Sequence, residues 1–169
     1  MPPNEREPAP ERPSMPAGYG IETGTTEGTV SWAHVTRRLA EARNYWVATA
    51  RPDGRPHAAP VWGLWLDGAF YFGTDPASRK GRNLARNPEV VVHLESGDDV
   101  VILEGRAQPV TDRRRLDRFA SAYEAKYGFR PEVDPGAPDV YAVRPRAAFA
   151  WREQDFPRSA TRWRFRPSA

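Results

Sequence analysis

Two Asp-Gly pairs, Asp53-Gly54 and Asp67-Gly68, constrain this chain more than any other feature. Such a pair readily adopts the left-handed backbone of a tight hairpin turn, whose twist matches that of the flanking strands. Each pair lies between short stretches that read as strands: Trp46 to Ala50, His57 to Leu66, and Ala69 to Thr74. Pro52 strengthens the first turn. Three consecutive strands joined this closely are predicted to form an antiparallel meander.

The remaining elements follow from capping and periodicity. Ser31 can cap a helix with Trp32, Val35, Leu39 and Ala42 on one stripe. Asp75-Pro76-Ala77-Ser78 ends the third strand and opens a short helix that stops near Asn87-Pro88. Val90 to Leu94 and Val100 to Val110 are predicted strands, with Gly105 a candidate bulge. Thr111 or Asp112 caps the longest helix, which carries Leu116, Phe119, Ala120, Tyr123 and Tyr127 and stops at Gly128. Val140 to Val143, Ala147 to Trp151 and the alternating Thr161 to Phe165 complete the list. Short sequential antiparallel strands in a chain of 169 residues favour one small closed barrel over a sandwich. The count is six or seven strands with two or three helices, so a mainly β domain is expected over residues 31–169. Residues 1–30 read as a flexible Pro/Gly-rich tail, since six of the first sixteen residues are proline and no apolar period follows. Tyr19 and Ile21 are its candidate anchors.

Composition removes several chemistries. There is no cysteine, so disulfides, thiolate metal sites and cysteine nucleophiles are excluded. His34, His57 and His93 show no metal-ligand spacing, and no metal is expected. His34 is expected on the solvent side of its helix. Neither a nucleophile elbow nor a Gly-rich phosphate loop is present. No apolar run approaches a membrane span and the N-terminus lacks a signal-peptide core, so a cytoplasmic protein without membrane contact is expected. The net charge of +3 is local: residues 144–169 carry seven arginines against Glu153 and Asp155, while the rest of the chain is net −2. That distribution, without a binding motif, argues against a nucleic-acid partner. If the protein is an enzyme, a cofactor carries the chemistry.

Two stretches could hold one. Thr74-Asp75-Pro76-Ala77-Ser78-Arg79-Lys80-Gly81-Arg82-Asn83-Leu84 gathers hydroxyls, three cations and an amide at a helix start, where unpaired N–H groups already favour an anion. Cations there are otherwise slightly unfavourable, which supports a phosphate grip over a solvated basic turn. The strand His57-Ala58-Ala59-Pro60-Val61-Trp62 is small-sided, and Pro60 lacks an N–H, so another group can approach its backbone. Trp62 suits stacking against a ring, although Trp62 and Trp65 read equally well as ordinary packing residues.

In this order the motifs resemble the pyridoxamine 5'-phosphate oxidase-like superfamily of FMN-binding split barrels. The most specific stretch is Ser78-Arg79-Lys80-Gly81-Arg82-Asn83-Leu84 followed by Arg86-Asn87-Pro88. The likeness covers roughly residues 31–165 and lies nearest the branch of F420/flavin-dependent oxidoreductases. It implies a six-stranded antiparallel split β-barrel with flanking helices, and a homodimer with cofactor sites between subunits. The phosphate would lie near Thr74, Ser78, Arg79, Lys80, Arg82 and Asn83, and the ring system along His57, Ala59, Pro60, Val61 and Trp62. Thr161 to Phe165 resembles a C-terminal strand that would bring Trp163 to the groove. The implied activity is hydride transfer from the deazaflavin coenzyme F420 to a small planar acceptor, with arginines serving the coenzyme's anionic tail. The alternatives are an FMN-dependent oxidoreductase of the same fold, or a non-catalytic flavin- or tetrapyrrole-binding dimer. The arginine–histidine signature of the vitamin B6 oxidases is not evident at the C-terminus. No catalytic residue is assigned; Tyr71, His57 and Arg162 are the candidate proton donors.

Overall fold

Backbone conformation at the turns sets the topology of the computed structural model, which describes residues 7–166. Strand β1 (Tyr45–Ala50) turns through Gly54, at φ 83°, into β2 (Pro56–Val61). Strand β3 (Gly63–Leu66) turns into β4 (Ala69–Gly73) through Asp67 and Gly68, at φ 50° and 70°. Two consecutive left-handed residues are what a tight hairpin requires. Before them, α1 (Trp32–Glu41) starts at Ser31, whose hydroxyl accepts from the His34 amide as its cap. After them come α2 (Arg79–Arg86), β5 (Glu89–His93), β6 (Asp99–Pro109), α3 (Arg113–Tyr127), β7 (Val140–Arg152), α4 (Phe156–Ser159) and β8 (Thr161–Arg164).

All pairings are antiparallel, and the sheet runs β2-β1-β5-β6-β7-β4-β3, with β8 added beside β7. The split-barrel class is as expected, but eight strands stand among the described residues where six were predicted. The stretch predicted as one strand, 57–66, divides at Trp62: its first half pairs with β1 and its second with β4. Gly63 explains the corner. A Cβ there would collide with the Phe70 ring and the Tyr71 carbonyl, so the backbone can fold tightly onto β4 only without a side chain. Conversely, 140–143 and 147–151, predicted as two strands, are one continuous β7. It passes Gly105 of β6 at a register shift between Glu104 and Gly105, where a Cβ would press on the Arg144 carbonyl.

The main core lies inside the barrel beneath α1, with Val35, Leu39, Tyr45, Val47, Phe70, Leu103 and Trp163 fully enclosed. A second core lies under α3, where Leu116 and Phe119 cover Leu64, Tyr71 and Ala142. α3 begins at the Asp112 cap and ends at Gly128, in left-handed conformation.

Much of the predicted tail lies along the barrel; its first six residues fall outside the described ones. Glu11 bridges Arg162 through two backbone hydrogen bonds of 2.8 Å. The Arg12 guanidinium donates to the carbonyls of Thr25, Glu27, Arg158 and Ala160. Val30 is buried, and its amide donates to Thr161 Oγ1 at 2.8 Å. Hydrogen bonds substitute for the apolar surface that this segment lacks. Tyr19 remains exposed, with its ring 6.3 Å from that of Phe156. His34 departs from its expected solvent position: Nε2 lies 2.9 Å from Asp99, and Arg38 reaches the same carboxylate at 3.1 Å.

Gly63→Ala forces the Phe70 ring and the β4 backbone apart. The expected cost is about 1–3 kcal/mol of stability, read from urea unfolding with an unchanged m value; a midpoint equal to wild type would remove Gly63 as the cause of the corner.

Candidate functional site

The geometry of α2 follows from one buried polar contact. Asn83 is fully enclosed, and its Nδ2 donates to Thr49 Oγ1 of β1 at 2.9 Å. Leu84 is buried beside it, as the pattern predicts. Gly81 packs so closely on the preceding turn that a Cβ would strike the Asp75 carbonyl and Pro76. Helix α2 is thereby held against β1, and Thr49 stands directly opposite His57 in the register of β1 and β2. The first turn of α2, the β1–β2 hairpin and the start of β2 therefore share one end of the barrel.

Asp53 in the hairpin pairs with Arg55 and lies near Arg51, but Arg51, Arg79 and Lys80 have no carboxylate within ion-pair distance among the described residues. Ser78 caps the helix, its Oγ accepting from the Gly81 amide and lying 3.0 Å from Thr74 Oγ1. No acceptor among the described residues meets the amide N–H groups of Arg79 and Lys80. Lys80 is half-buried without a carboxylate partner, and burial holds its ammonium below the ordinary lysine value. His57 is held below the usual imidazole range first by burial and then by the charges of Lys80, Arg51 and Arg79. Its Nδ1 is buried with no hydrogen-bond partner, and so is Nε of Arg51. Arg82 is exposed on the same helix. Arg51 was missed in the sequence, where it reads as part of the hairpin turn; its only signal was its distance of six residues from His57 across that turn.

Other expected site residues have different surroundings. Asn83 faces inward: its Nδ2 donates to Thr49, and its Oδ1 is buried without a hydrogen-bond partner. Trp163 is fully buried, 5.3 Å from Trp32, in the core and not on a groove wall. Ala59 and Val61 are half-buried on β2, a strand at one end of the sheet order, and Pro60 stands exposed opposite Trp46. Trp62 is 38% exposed and lies parallel to Tyr127 at 4.7 Å, so one face of its ring is taken. The three candidate proton donors are not brought together: Tyr71 accepts from Arg115 beneath α3, Arg162 pairs with Glu11 on β8, and only His57 adjoins the cation cluster. No cluster of three metal-ligating side chains occurs among the described residues. Nor is any described helix long and apolar enough to cross a membrane.

The arrangement suits an anion with several acceptor oxygens. Forked arginines, a lysine and outward-pointing helix N–H groups all converge on one place, as in phosphate recognition.

Known proteins carry the same plan. The family model described as pyridoxamine 5'-phosphate oxidase matches residues 32–152, from the start of α1 to the end of β7. A pyridoxine/pyridoxamine 5'-phosphate oxidase of Gluconobacter oxydans is 28% identical over 142 residues, which are 65% of this chain and 71% of that protein. Another, from Bacteroides thetaiotaomicron, is 34% identical over 104 residues, 58% of this chain; the chain spans about half of its length, 49%. Among solved structures, the conserved hypothetical protein Rv2991 of Mycobacterium tuberculosis superposes with a TM-score of 0.61 at 28% identity, covering 73% of this chain and 86% of that one. Because the match takes in every element that builds the cation cluster, α2 and β2 included, the chain belongs to the pyridoxamine 5'-phosphate oxidase family.

Proposed function

We propose that this protein is an oxidoreductase that grips a flavin-type cofactor by its phosphate at the start of α2 and uses it to pass a hydride to a small planar acceptor. The observation that carries this reading is the group Arg51, His57, Arg79 and Lys80, with two orphaned buried nitrogens and no carboxylate within ion-pair distance of its three cations among the described residues. A phosphate answers each part of that cluster: charge for the cations, acceptors for His57 Nδ1 and Arg51 Nε, and a terminus for the α2 N–H groups.

When bound, the cofactor supplies the redox chemistry. The chain's own residues position it. Lys80 and Arg79 hold the phosphate, the Thr74–Ser78 hydroxyl pair lines the turn, and Ala59, Pro60 and Val61 offer a low wall for a ring as far as Trp62. His57 faces the anion from the neutral state and can take up a proton as the phosphate arrives. The names of the curated relatives make oxidation of a pyridoxine or pyridoxamine 5'-phosphate one version of this reading.

Between the two flavin-type cofactors, the ion pairs favour FMN over F420. The arginines that would suit an anionic glutamyl tail are largely engaged within the chain. Arg162 and Arg164 meet Glu11, Arg158 lies by Glu22 and Glu27, and Arg146 pairs with Glu89. We also read the protein as a homodimer. One outward row of the sheet runs Pro60, Trp46, His93, Ile102, Phe149, and the next runs Ala58, Ala48, Val91, Glu104, Ala147. Such a largely apolar, multi-strand face is suited to cover itself with a second copy.

Parallel fluorescence titrations should show FMN binding more tightly than F420. Lys80→Ala should weaken FMN by about tenfold or more with an unchanged thermal midpoint; equal affinity in the variant would overturn the phosphate assignment. Calorimetry near the ordinary histidine value of 6.5, run in two buffers of different ionisation enthalpy, should reveal proton uptake on FMN binding. The sign follows from His57 being depressed in the free protein and raised by an anion. Uptake that persists in His57→Gln would assign the proton elsewhere. For assembly, Phe149→Asp should convert a dimer mass in light scattering to that of a monomer, and a wild-type monomer would end the dimer reading.

A further inference from the structure

A second gathering of unneutralised cations lies at the opposite end of β2. Arg43, in the loop between α1 and β1, places its guanidinium 5.0 Å from the Trp62 ring centre and 5.9 Å from that of Tyr127. Lys126, near the end of α3, places Nζ 5.2 Å from the Tyr127 ring and 4.9 Å from the Tyr45 ring. Neither cation has a carboxylate within ion-pair distance among the described residues. Lys126 Nζ donates to Tyr45 Oη at 2.8 Å and to the Gly63 carbonyl at 3.2 Å, both neutral acceptors, leaving a third proton uncommitted. Burial pushes its ammonium down to about 8. Two cations thus approach one tyrosine ring, neither of them in an ion pair among the described residues. For packing alone, a neutral side chain in place of Lys126 would avoid the burial of charge.

The surface they flank is aromatic and rigid. Trp62 and Tyr127 are parallel within 1°. The Tyr127 hydroxyl accepts from the Gly63 amide at 3.0 Å and lies 2.8 Å from the Arg43 carbonyl, which fastens the ring to the barrel corner. Tyr127 takes one face of Trp62 and Arg43 lies over the indole, which still keeps 38% of its surface exposed for a flat ring. Aromatic platforms favour flat rings, and the arginine fork favours carboxylates.

We propose that Trp62, Tyr127, Arg43 and Lys126 form a binding site for a planar aromatic carboxylate, with the ring on Trp62 and the acid group facing the two cations. The site stands on these residues alone; its role as the acceptor's position rests on the cofactor reading above.

The test is calorimetric titration of the full chain, with and without FMN, using 2-naphthoate and its neutral analogue 2-naphthamide. The acid should bind more tightly than the amide by about ten- to a hundredfold. Arg43→Gln and Trp62→Leu should each weaken the acid by about tenfold or more, with the circular dichroism of Arg43→Gln unchanged. Affinity for the acid should also fall above pH 8 as Lys126 loses its proton. The tyrosines facing Lys126 do not change there: Tyr45, Tyr123 and Tyr127 are pushed up by burial and stay neutral. Equal affinity for acid and amide, an unaffected Arg43→Gln variant, or no naphthoate binding overturns the site, and FMN binding in the same samples leaves the cofactor reading standing. Naphthoate binding by a chain that does not take FMN keeps the site and removes its acceptor role.

Discussion

The corner at Trp62-Gly63 is the constraint on which the rest of the molecule depends. The two ends of the sheet order, β2 and β3, are consecutive in the chain and separated by one residue. The barrel is therefore bridged across its split by the backbone itself, and not by another row of hydrogen bonds. Gly63 lets that backbone press on Phe70 and Tyr71, and the C-terminal turn of α3 seals the bend through Tyr127 and Lys126. A strand that leaves one half-sheet for the other keeps a free edge along β2, which is where a flat ligand can lie against the main chain.

Charge is distributed around that edge with a consistent division. Arginines on β7, β8 and the C-terminal turn find acids in the N-terminal segment or on β5, as Arg162 does with Glu11 and Arg146 with Glu89. α1 is tied to β6 by His34 and Arg38 on Asp99. Near both ends of β2 the pattern changes: Arg55 pairs with Asp53, but Arg51, Lys80, Arg43 and Lys126 have no carboxylate within ion-pair distance among the described residues. Half-buried ammonium groups in such surroundings are costly unless an anion completes them. The cost at Lys80 and Lys126 is visible as the lowering of both by burial.

How much of this was legible in the sequence depended on the range of the interaction. Local signals were read correctly: the Ser31 and Asp112 caps, the Asp67-Gly68 turn, Gly128 at the end of α3, and Ser78 opening α2. The division of 57–66 was not, because periodicity continues through Trp62 and the collision at Gly63 involves Phe70 and Tyr71 on the next strand. His34 looked like a surface residue because its partner, Asp99, is 65 residues away. The proline-rich segment looked like a tail because Arg12, not an apolar stripe, anchors it. In the candidate site, Ser78 to Arg82 stood out as a run, but Arg51 joins them only through the register of β1 and β2, and Asn83 turns away only because Thr49 is there to receive it.

The spacing of the two unneutralised clusters gives the edge a direction. His57 and Trp62 are five residues apart along an extended stretch, about 16 Å at the usual rise per residue. That is the span of a phosphate joined through a short chain to a three-ring system, with the small side chains of Ala58, Ala59 and Val61 between. A phosphate fixed at α2 would leave the far ring edge close to Trp62. A flat acid held there by Arg43 and Lys126 would then meet the ring from the exposed side, where β2 has no neighbouring strand. Both clusters are thus fixed by backbone constraints, α2 by the Asn83–Thr49 bond and the corner by Gly63. The separation of His57 and Trp62 is set by strand geometry, which would hold the two flat molecules of the proposed site in alignment.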